Sequence, residues 1–169
     1  MLQEAIRNNP REPLLHDALG DFERDRRNFK SAFENYRRAV GLDPGYAGAY
    51  NNWGIALRRS GDTDSAIKMY AKAIEVDPRM PQPHYNTGLI LSDRKELEKA
   101  MQSYRQATEA DPEFVTGFRA WAEALEGKGD YAAAMQHYRR VVSLSFEPSY
   151  WPGKVEQMVT FLTGAGLPF

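Results

Sequence analysis

The chain has 169 residues, a formal net charge of -1 at pH 7 and no cysteine. The near-neutral charge argues against a nucleic-acid partner, because nucleic-acid-binding domains normally show a basic excess. The lack of cysteine excludes a disulfide framework and thiolate metal sites, and it fits a reducing compartment. Hydrophobic residues make up 42% and aromatic residues 12%, which is enough apolar surface for one domain or one short stack of repeats.

A period of 34 residues runs through the chain. It appears first in pairs in which Asn or Asp precedes a helix-stopping proline: Asn9-Pro10, Asp43-Pro44, Asp77-Pro78 and Asp111-Pro112. Small residues keep the same spacing at Gly20, Gly54, Gly88 and Ala122, and at Ala32, Ala66, Ala100 and Ala134. Tyrosines keep it at Tyr36, Tyr70, Tyr104 and Tyr138. A fixed period between roughly twenty and fifty residues indicates a repeat array.

The first predicted element, residues 1–10, has the pattern of the second helix of a repeat, with Ala5 and Pro10 in register. Its first helix is missing, which favours a chain cut from a longer array over a short capping helix. These residues contain no apolar stretch that resembles a signal sequence. No apolar run approaches the roughly 20 residues that span a bilayer. We therefore expect no membrane insertion and a cytoplasmic location.

Four helix pairs are predicted next, over residues 13–46, 47–80, 81–114 and 115–148. In the second pair, apolar residues recur at three and four residues, which predicts helices over about 46–59 and 64–76. Between them, Gly61 is expected to adopt the left-handed conformation that ends a helix. Asp62 or Thr63 is then expected to cap the next helix.

The small residues on these helices predict close packing. Gly54 and Ala66 are expected to let two helix backbones approach near the lower end of the usual roughly 8–10 Å range, with Tyr70 filling the space beside them. The turn glycine is absent from residues 26–28 and 94–96, which leaves the turn shape open at those two places.

The last predicted element covers residues 149–163. Its apolar residues follow i, i+3, i+4, i+7 spacing at Val155, Met158, Val159 and Leu162. Such a stripe predicts a helix that caps the last repeat, as repeat arrays require for solubility. Residues 164–169 are expected to form a tail.

The combination of Gly, Ala, aromatic residue, Ala and Pro at this spacing resembles the tetratricopeptide repeat family. The resemblance extends over about residues 13–148, with one departure at Phe146, which occupies the proline column of the fourth repeat. It implies an all-α fold, a right-handed superhelical solenoid of antiparallel helix pairs. It also implies that the first helix of each pair lines a concave groove in which a protein or peptide partner binds.

Carried onto this sequence, the resemblance places a set of side chains on or near the groove: Asp17, Asp21, Arg24, Asn51, Asn52, Ile55, Arg58, Tyr85, Asn86, Leu89, Arg119 and Glu123. Asn52 and Asn86 share a column, and their amides can hold an extended peptide backbone. The alternative is that these amides bond a neighbouring helix.

The arginines and apolar residues of this set have two interpretations each. Arg58 and Arg119 can fork onto carboxylates of a partner, or they can pair within the chain with Asp93 or Glu123. Tyr85 and Leu89 can form the apolar centre of a recognition site. They can also be partly covered by the next repeat.

Catalytic patterns are missing from the sequence. The three histidines are His16, His84 and His137, and their pattern favours packing over a metal-binding or catalytic role. No Ser-His-Asp spacing and no glycine-rich phosphate loop is present. The sequence therefore predicts that this chain is not an enzyme and uses no cofactor or metal.

The leading hypothesis for function is a scaffold or adaptor that binds a peptide or helix of another protein in the groove. A second hypothesis is a substrate-recognition arm of a larger enzyme, such as a glycosyltransferase, because the half repeat at the N-terminus implies missing sequence. A third is self-association through the solenoid ends. A clamp for chaperone C-termini is not predicted, because the acidic Asp17 and Asp21 stand where that clamp has Lys and Asn.

Overall fold

The computed structural model describes residues 2–144 and the isolated positions 153, 156 and 160. Within this part of the chain it contains nine α-helices and no strand, which confirms the all-α prediction. They are α1 (Leu2–Asn8), α2 (Pro13–Asp25), α3 (Phe29–Leu42), α4 (Ala47–Ser60), α5 (Thr63–Val76), α6 (Pro81–Asp93), α7 (Leu97–Ala110), α8 (Val115–Lys128) and α9 (Tyr131–Leu144). Apart from the three isolated positions, the predicted cap over 149–163 and tail over 164–169 lie outside the described residues.

The helix ends follow from local chemistry. Gly61 has φ 96°, in the left-handed region, and its N–H donates to the carbonyl of Arg58 at 3.1 Å. The Asp62 carboxylate then accepts a hydrogen bond of 3.0 Å from the backbone N–H of Ser65 and caps α5. Both predictions for this turn are confirmed.

The two turns without glycine have the same shape as the turns with it. Arg27 has φ 63° and Lys95 has φ 64°, so both are left-handed at the positions that correspond to Gly61 and Gly129. The N–H of Arg27 donates to the carbonyl of Arg24 at 2.9 Å, as the N–H of Gly61 does to Arg58. A left-handed residue with a Cβ costs roughly 1–2 kcal/mol. The surrounding helices therefore impose this turn whatever the residue.

The chain forms two compact units, one ending at Asn86 and the other starting at Thr87. In the first unit α2 packs against α3 (repeat one) and α4 packs against α5 (repeat two), and α4 also contacts both helices of repeat one. The core of this unit includes the alanine and tyrosine columns, which are fully buried: Ala32, Tyr36, Ala39, Ala66, Tyr70 and Ala73.

The glycine column of the first helices makes room for the tyrosine column. A Cβ added to Gly54 would lie 2.4 Å from Cε1 of Tyr70, and one added to Gly20 would lie 2.6 Å from Cε1 of Tyr36. The tyrosine ring therefore lies directly on the backbone of the first helix. This contact fixes where each tyrosine hydroxyl is placed.

In the second unit α7 packs against α8, and α8 packs against α9 to form repeat four. Repeat three, formed by α6 and α7, keeps the same contact, since a Cβ on Gly88 would lie 2.4 Å from Cε1 of Tyr104. Repeat four has the buried Ala122 in the glycine column and the buried Tyr138 in the tyrosine column. Among the described helices, none is both long enough and apolar enough to cross a membrane.

Candidate functional site on the first helices

The predicted groove residues fall in both units. In the first unit they are Asp17, Asp21 and Arg24 on α2, Asn51, Asn52, Ile55 and Arg58 on α4, and Tyr85 and Asn86 on α6. In the second unit they are Leu89 on α6 and Arg119 and Glu123 on α8. We use the name first-helix face for the side chains of Asp17, Asp21, Asn52, Ile55 and Arg58 on α2 and α4.

The asparagines of the first unit link neighbouring first helices. The amide of Asn52 donates to both carboxylate oxygens of Asp17 at 3.2 Å, so it joins α4 to α2. The amide of Asn86 donates to the side-chain oxygen of Asn51 at 3.1 Å. Asp17, Asn51 and Asn86 are each less than 8% exposed. Of the two uses that the sequence allowed for these amides, the bond to a neighbouring helix is therefore present.

Asp17 is the buried acceptor at the centre of these contacts. The hydroxyl of Tyr46, just before α4, donates to its second carboxylate oxygen at 3.0 Å. Burial raises the pKa of Asp17 above its ordinary value, while the hydrogen bonds from Asn52 and Tyr46 oppose that shift. Burial and the negative charge of Asp17 raise the pKa of Tyr46 to about 12. These bonds hold α2 and α4 in a fixed relation and make the first-helix face a pre-ordered surface.

Repeat one contains a closed polar group beside this contact, which we call the repeat-one triad: Asp21, Arg24 and Tyr36. The hydroxyl of Tyr36 donates to Oδ1 of Asp21 at 2.7 Å, and Nη1 of Arg24 lies 2.5 Å from the same oxygen. Burial and the hydrogen bond to Asp21 both raise the pKa of Tyr36. Each buried donor of the triad thus has a carboxylate acceptor.

Repeat two has the same arginine and tyrosine without the carboxylate. Arg58 and Tyr70 correspond to Arg24 and Tyr36 one period later, but Ile55 stands where Asp21 does. The Tyr70 hydroxyl and Arg58 Nε are buried, and neither has a hydrogen-bond partner among the described residues. We call these two side chains the repeat-two pair.

The two members of the repeat-two pair satisfy each other only in part. Burial raises the pKa of Tyr70 to about 12, and both the positive charge of Arg58 and its interaction with the phenol oxygen oppose this shift, so the two groups are close. Arginine offers only donors, however, and it therefore cannot accept the hydroxyl proton of Tyr70. The sequence interpretation placed Tyr70 only in the core. A comparison of Asp21 with Ile55, one period later in the same column, is the signal that would have shown the missing acceptor of Tyr70.

The remaining predicted residues lie on α6 and α8. Tyr85, Leu89 and Arg119 are half-buried. Nε of Arg119 lies 3.9 Å from a carboxylate oxygen of Glu123, one helical turn away, with both side chains over 40% exposed. An exposed pair at this distance contributes roughly 0–1 kcal/mol. The pairing of Arg119 with Glu123 that the sequence allowed is therefore present but loose.

Two of the three histidines, His16 and His137, have contacts within the fold. His16 is 2% exposed, and its Nε2 lies 3.0 Å from the carbonyl oxygen of Pro10. The ring of His137 stacks on Trp121 at 4.0 Å between centroids, and burial lowers the pKa of His137. In the described part of the chain, no three His, Asp or Glu side chains are grouped closely enough to hold a metal ion.

The family profile of the tetratricopeptide repeat matches residues 1–47, 51–113 and 102–148. The chain belongs to the tetratricopeptide repeat family. Members of this family are generally non-catalytic scaffolds for protein interactions. No curated protein sequence matches the chain significantly.

Solved structures show the same fold at low sequence identity. A crystal structure of MamA is 23% identical, covers 85% of this chain and 84% of its own, and superposes with a TM-score of 0.71. A second MamA structure is also 23% identical, covering 85% and 78%, with a TM-score of 0.68. The pilF protein of Pseudomonas aeruginosa is 22% identical, covering 86% and 67%, with a TM-score of 0.76. These likenesses support the tetratricopeptide repeat fold.

Proposed function

We propose that this chain is a non-catalytic scaffold that binds a peptide segment of a protein partner along its first-helix face. The observation that supports this most directly is the interhelical hydrogen bonding of Asn52 and Asp17, which orders the face before any partner arrives. A surface that is already ordered loses little conformational entropy on binding, so more of the contact energy appears as affinity.

The exposed surface of the face suits a peptide better than a small molecule. Ile55 and Arg58 are half-buried on α4, and Asp21 is half-buried on α2. The face thus presents a carboxylate on α2, and an apolar side chain and a guanidinium on α4. A peptide can contact all three at once, with its own side chains alternating between apolar and charged.

The site of contact can be tested by cross-linking, because the chain has no cysteine of its own. Single-cysteine variants Ile55→Cys and Lys68→Cys are labelled with benzophenone maleimide. Lys68 is the matched control, since it is exposed on α5, the second helix of the same repeat. Peptides are first selected on the unlabelled protein from a displayed random library, and each selected peptide is then irradiated with both labelled variants.

The proposal predicts that selected peptides cross-link at position 55 and not at position 68. Cross-linking at position 68 alone, or equally at both, would place binding away from the first-helix face and refute the proposal. Circular dichroism of both labelled variants before irradiation controls for loss of the fold. Mass spectrometry of the adducts identifies which peptide residue lies against Ile55.

A further inference from the structure

The buried tyrosine column meets a carboxylate in the first and last repeats. Tyr36 donates to Asp21 at 2.7 Å, and Tyr138 donates to Glu126 at 2.8 Å. The two acceptors occupy different positions of the first helix. Different residues therefore accept the hydrogen bond of the buried tyrosine in the two repeats. Tyr70 has no acceptor among the described residues.

An unmatched pair of donors is costly inside a protein. A buried hydroxyl and a buried guanidinium N–H both lose their hydrogen bonds to water on folding, and nothing in repeat two replaces them. Most buried polar groups in folded proteins have a partner, so each exception calls for an explanation. An external acceptor that arrives with a ligand would complete these hydrogen bonds.

We propose that Arg58 and Tyr70 form a subsite for an aspartate or glutamate side chain of the bound partner. This inference rests on the proposed function and names the chemistry that the first-helix face selects. The carboxylate of the partner accepts from the Arg58 guanidinium and from the Tyr70 hydroxyl, as Asp21 accepts from Nη1 of Arg24 and from the hydroxyl of Tyr36 in repeat one.

The repeat-one triad supplies the template for this choice of ligand. There, one carboxylate oxygen is reached both by a guanidinium nitrogen at 2.5 Å and by a phenol oxygen at 2.7 Å. A carboxylate balances the charge of the arginine and accepts both hydrogen bonds, whereas a backbone carbonyl supplies no charge. The template carboxylate belongs to a side chain, which favours an acidic side chain over a chain terminus.

Access to the subsite depends on Ile55. The period places Ile55 where Asp21 stands in repeat one, and the Tyr70 hydroxyl is buried. Ile55 and Arg58 are only half-buried, so rotation of their side chains opens the position without moving a helix. Ile55→Ala should therefore bind a carboxylate at least as well as the wild type, whereas Ile55→Asp should occupy the subsite from within the chain.

The test is an NMR titration that follows the Arg58 Nε–H signal, assigned by its loss in Arg58→Lys. The probe is N-acetyl-aspartate N-methylamide, which has a side-chain carboxylate and no free chain terminus. N-acetylalanine supplies a chain-terminal carboxylate in a parallel arm, and sodium chloride keeps the ionic strength constant. The Nε–H of Arg24 is an internal reference, because it already donates to Asp25 at 3.2 Å.

We expect a saturable shift of the Arg58 signal with the aspartate probe and no shift of the Arg24 signal. Affinity for the probe should fall about tenfold in Tyr70→Phe, which removes one hydrogen bond to a charged acceptor. The shift should disappear in Ile55→Asp and persist in Ile55→Ala. Each variant is checked for an unchanged fold by its amide spectrum.

Three results would overturn the inference. The first is a shift that grows linearly and equally with chloride, which would mark Arg58 as an ordinary surface cation. The second is stronger binding of N-acetylalanine, which would assign the pair to a chain terminus. The third is equal probe affinity in the wild type, Tyr70→Phe and Ile55→Asp.

The failure of this inference can be separated from failure of the proposed function. If selected peptides cross-link at position 55 but contain no acidic residue and bind Ile55→Asp as tightly as wild type, the face binds peptides and the subsite is wrong. If the probe shifts Arg58 as expected but peptides cross-link only at position 68, the subsite exists and the proposed peptide path is wrong.

Discussion

Repeats one and two have the same helical frame and the same turn, and they differ in how the polar end of the buried tyrosine is completed. In both, a tyrosine ring lies on a glycine of the first helix and an arginine stands beside its hydroxyl. Asp21 closes the group in repeat one, whereas Ile55 leaves Arg58 and Tyr70 open in repeat two.

The comparison shows that the packing of the tyrosine ring and the hydrogen bonding of its hydroxyl vary independently in this fold. The ring contacts with glycine and alanine define the repeat and are equally complete in both copies. The hydroxyl, and one guanidinium nitrogen with it, depend on a position that is Asp21 in one copy and Ile55 in the next. Nε of the arginine depends on a second position, which is Asp25 in one copy and Arg59 in the next. The same helical frame can therefore have all its buried donors paired in one repeat and an unpaired donor, open to a ligand, in the next.

The largest expected effect is an opposite response to the same substitution in the two repeats. Tyr36→Phe removes a hydrogen bond to a charged acceptor and should lower the free energy of unfolding by about 1.5–3 kcal/mol. Tyr70→Phe removes a donor that has no acceptor and should raise it by about 1 kcal/mol. Urea denaturation of both variants measures the two changes. Losses of equal size would show that Tyr70 is satisfied in the unliganded protein.

The glycine column should respond equally in both repeats, since the ring contact is the same. Gly20→Ala and Gly54→Ala each place a Cβ under 3.0 Å from a tyrosine ring. Each should lose about 1–2 kcal/mol, after allowing for the better helix propensity of alanine. Gly41→Ala, on α3 with nothing within 4 Å of the added Cβ, should gain up to about 1 kcal/mol. Thermal melts that show a gain at Gly54 would contradict the packing account.

A carboxylate introduced at position 55 should stabilise repeat two by accepting from Arg58 and Tyr70, as Asp21 accepts from Arg24 and Tyr36 in repeat one. Ile55→Asp should be about 1 kcal/mol more stable than Ile55→Asn, because both lose the same apolar side chain and only the former is charged. The introduced carboxylate should have a lowered pKa in the folded state. Its advantage is therefore complete above the unfolded value of about 3.9 and is lost as the pH falls through the lower folded value.

The matched double variants decide whether that advantage comes from the proposed contacts. Tyr70→Phe and Arg58→Gln are each added to Ile55→Asp and to Ile55→Asn. Urea denaturation of these double variants is then measured at pH 7 and at decreasing pH. The difference between Asp and Asn should shrink in both backgrounds. A difference that is unchanged would show that the carboxylate interacts with something other than the repeat-two pair.

The smallest expected effect concerns the turns, where the two repeats exchange glycine for arginine. Gly61→Arg should lose about 1 kcal/mol, because it places a Cβ at a left-handed position. Arg27→Gly should gain somewhat less than about 1 kcal/mol, because glycine also gives up more backbone entropy on folding. Calorimetric melting temperatures of the two variants measure this. A loss in Arg27→Gly would show that the arginine side chain stabilises its turn.

The fold was largely predictable because its signals are local and repeated. Pro44 and Pro78 stop helices wherever they occur, and Gly61 and Asp62 end one helix and begin the next by their own chemistry. The turn at Arg27 was not predictable in the same way, because nothing about arginine favours a positive φ. The flanking helices impose it through their packing.

The candidate site was only partly predictable. The periodic columns placed Asn52, Asn86 and Arg58 on the first helices, but they did not show that the asparagine amides bond a neighbouring first helix. That outcome depends on the distance between helices, which sequence spacing does not contain. The open state of Tyr70 depends on Ile55 in another column, and only the side-by-side geometry of repeats one and two made that absence visible.

The most direct test of the account is the affinity of one selected acidic peptide for the wild type, Ile55→Asp and Ile55→Asn, measured by calorimetry at constant ionic strength. The two variants have nearly the same shape at position 55 and differ in charge. The account predicts that Ile55→Asp binds the peptide at least tenfold more weakly than Ile55→Asn, because its own carboxylate occupies Arg58 and Tyr70. Equal affinities for the two variants would contradict it.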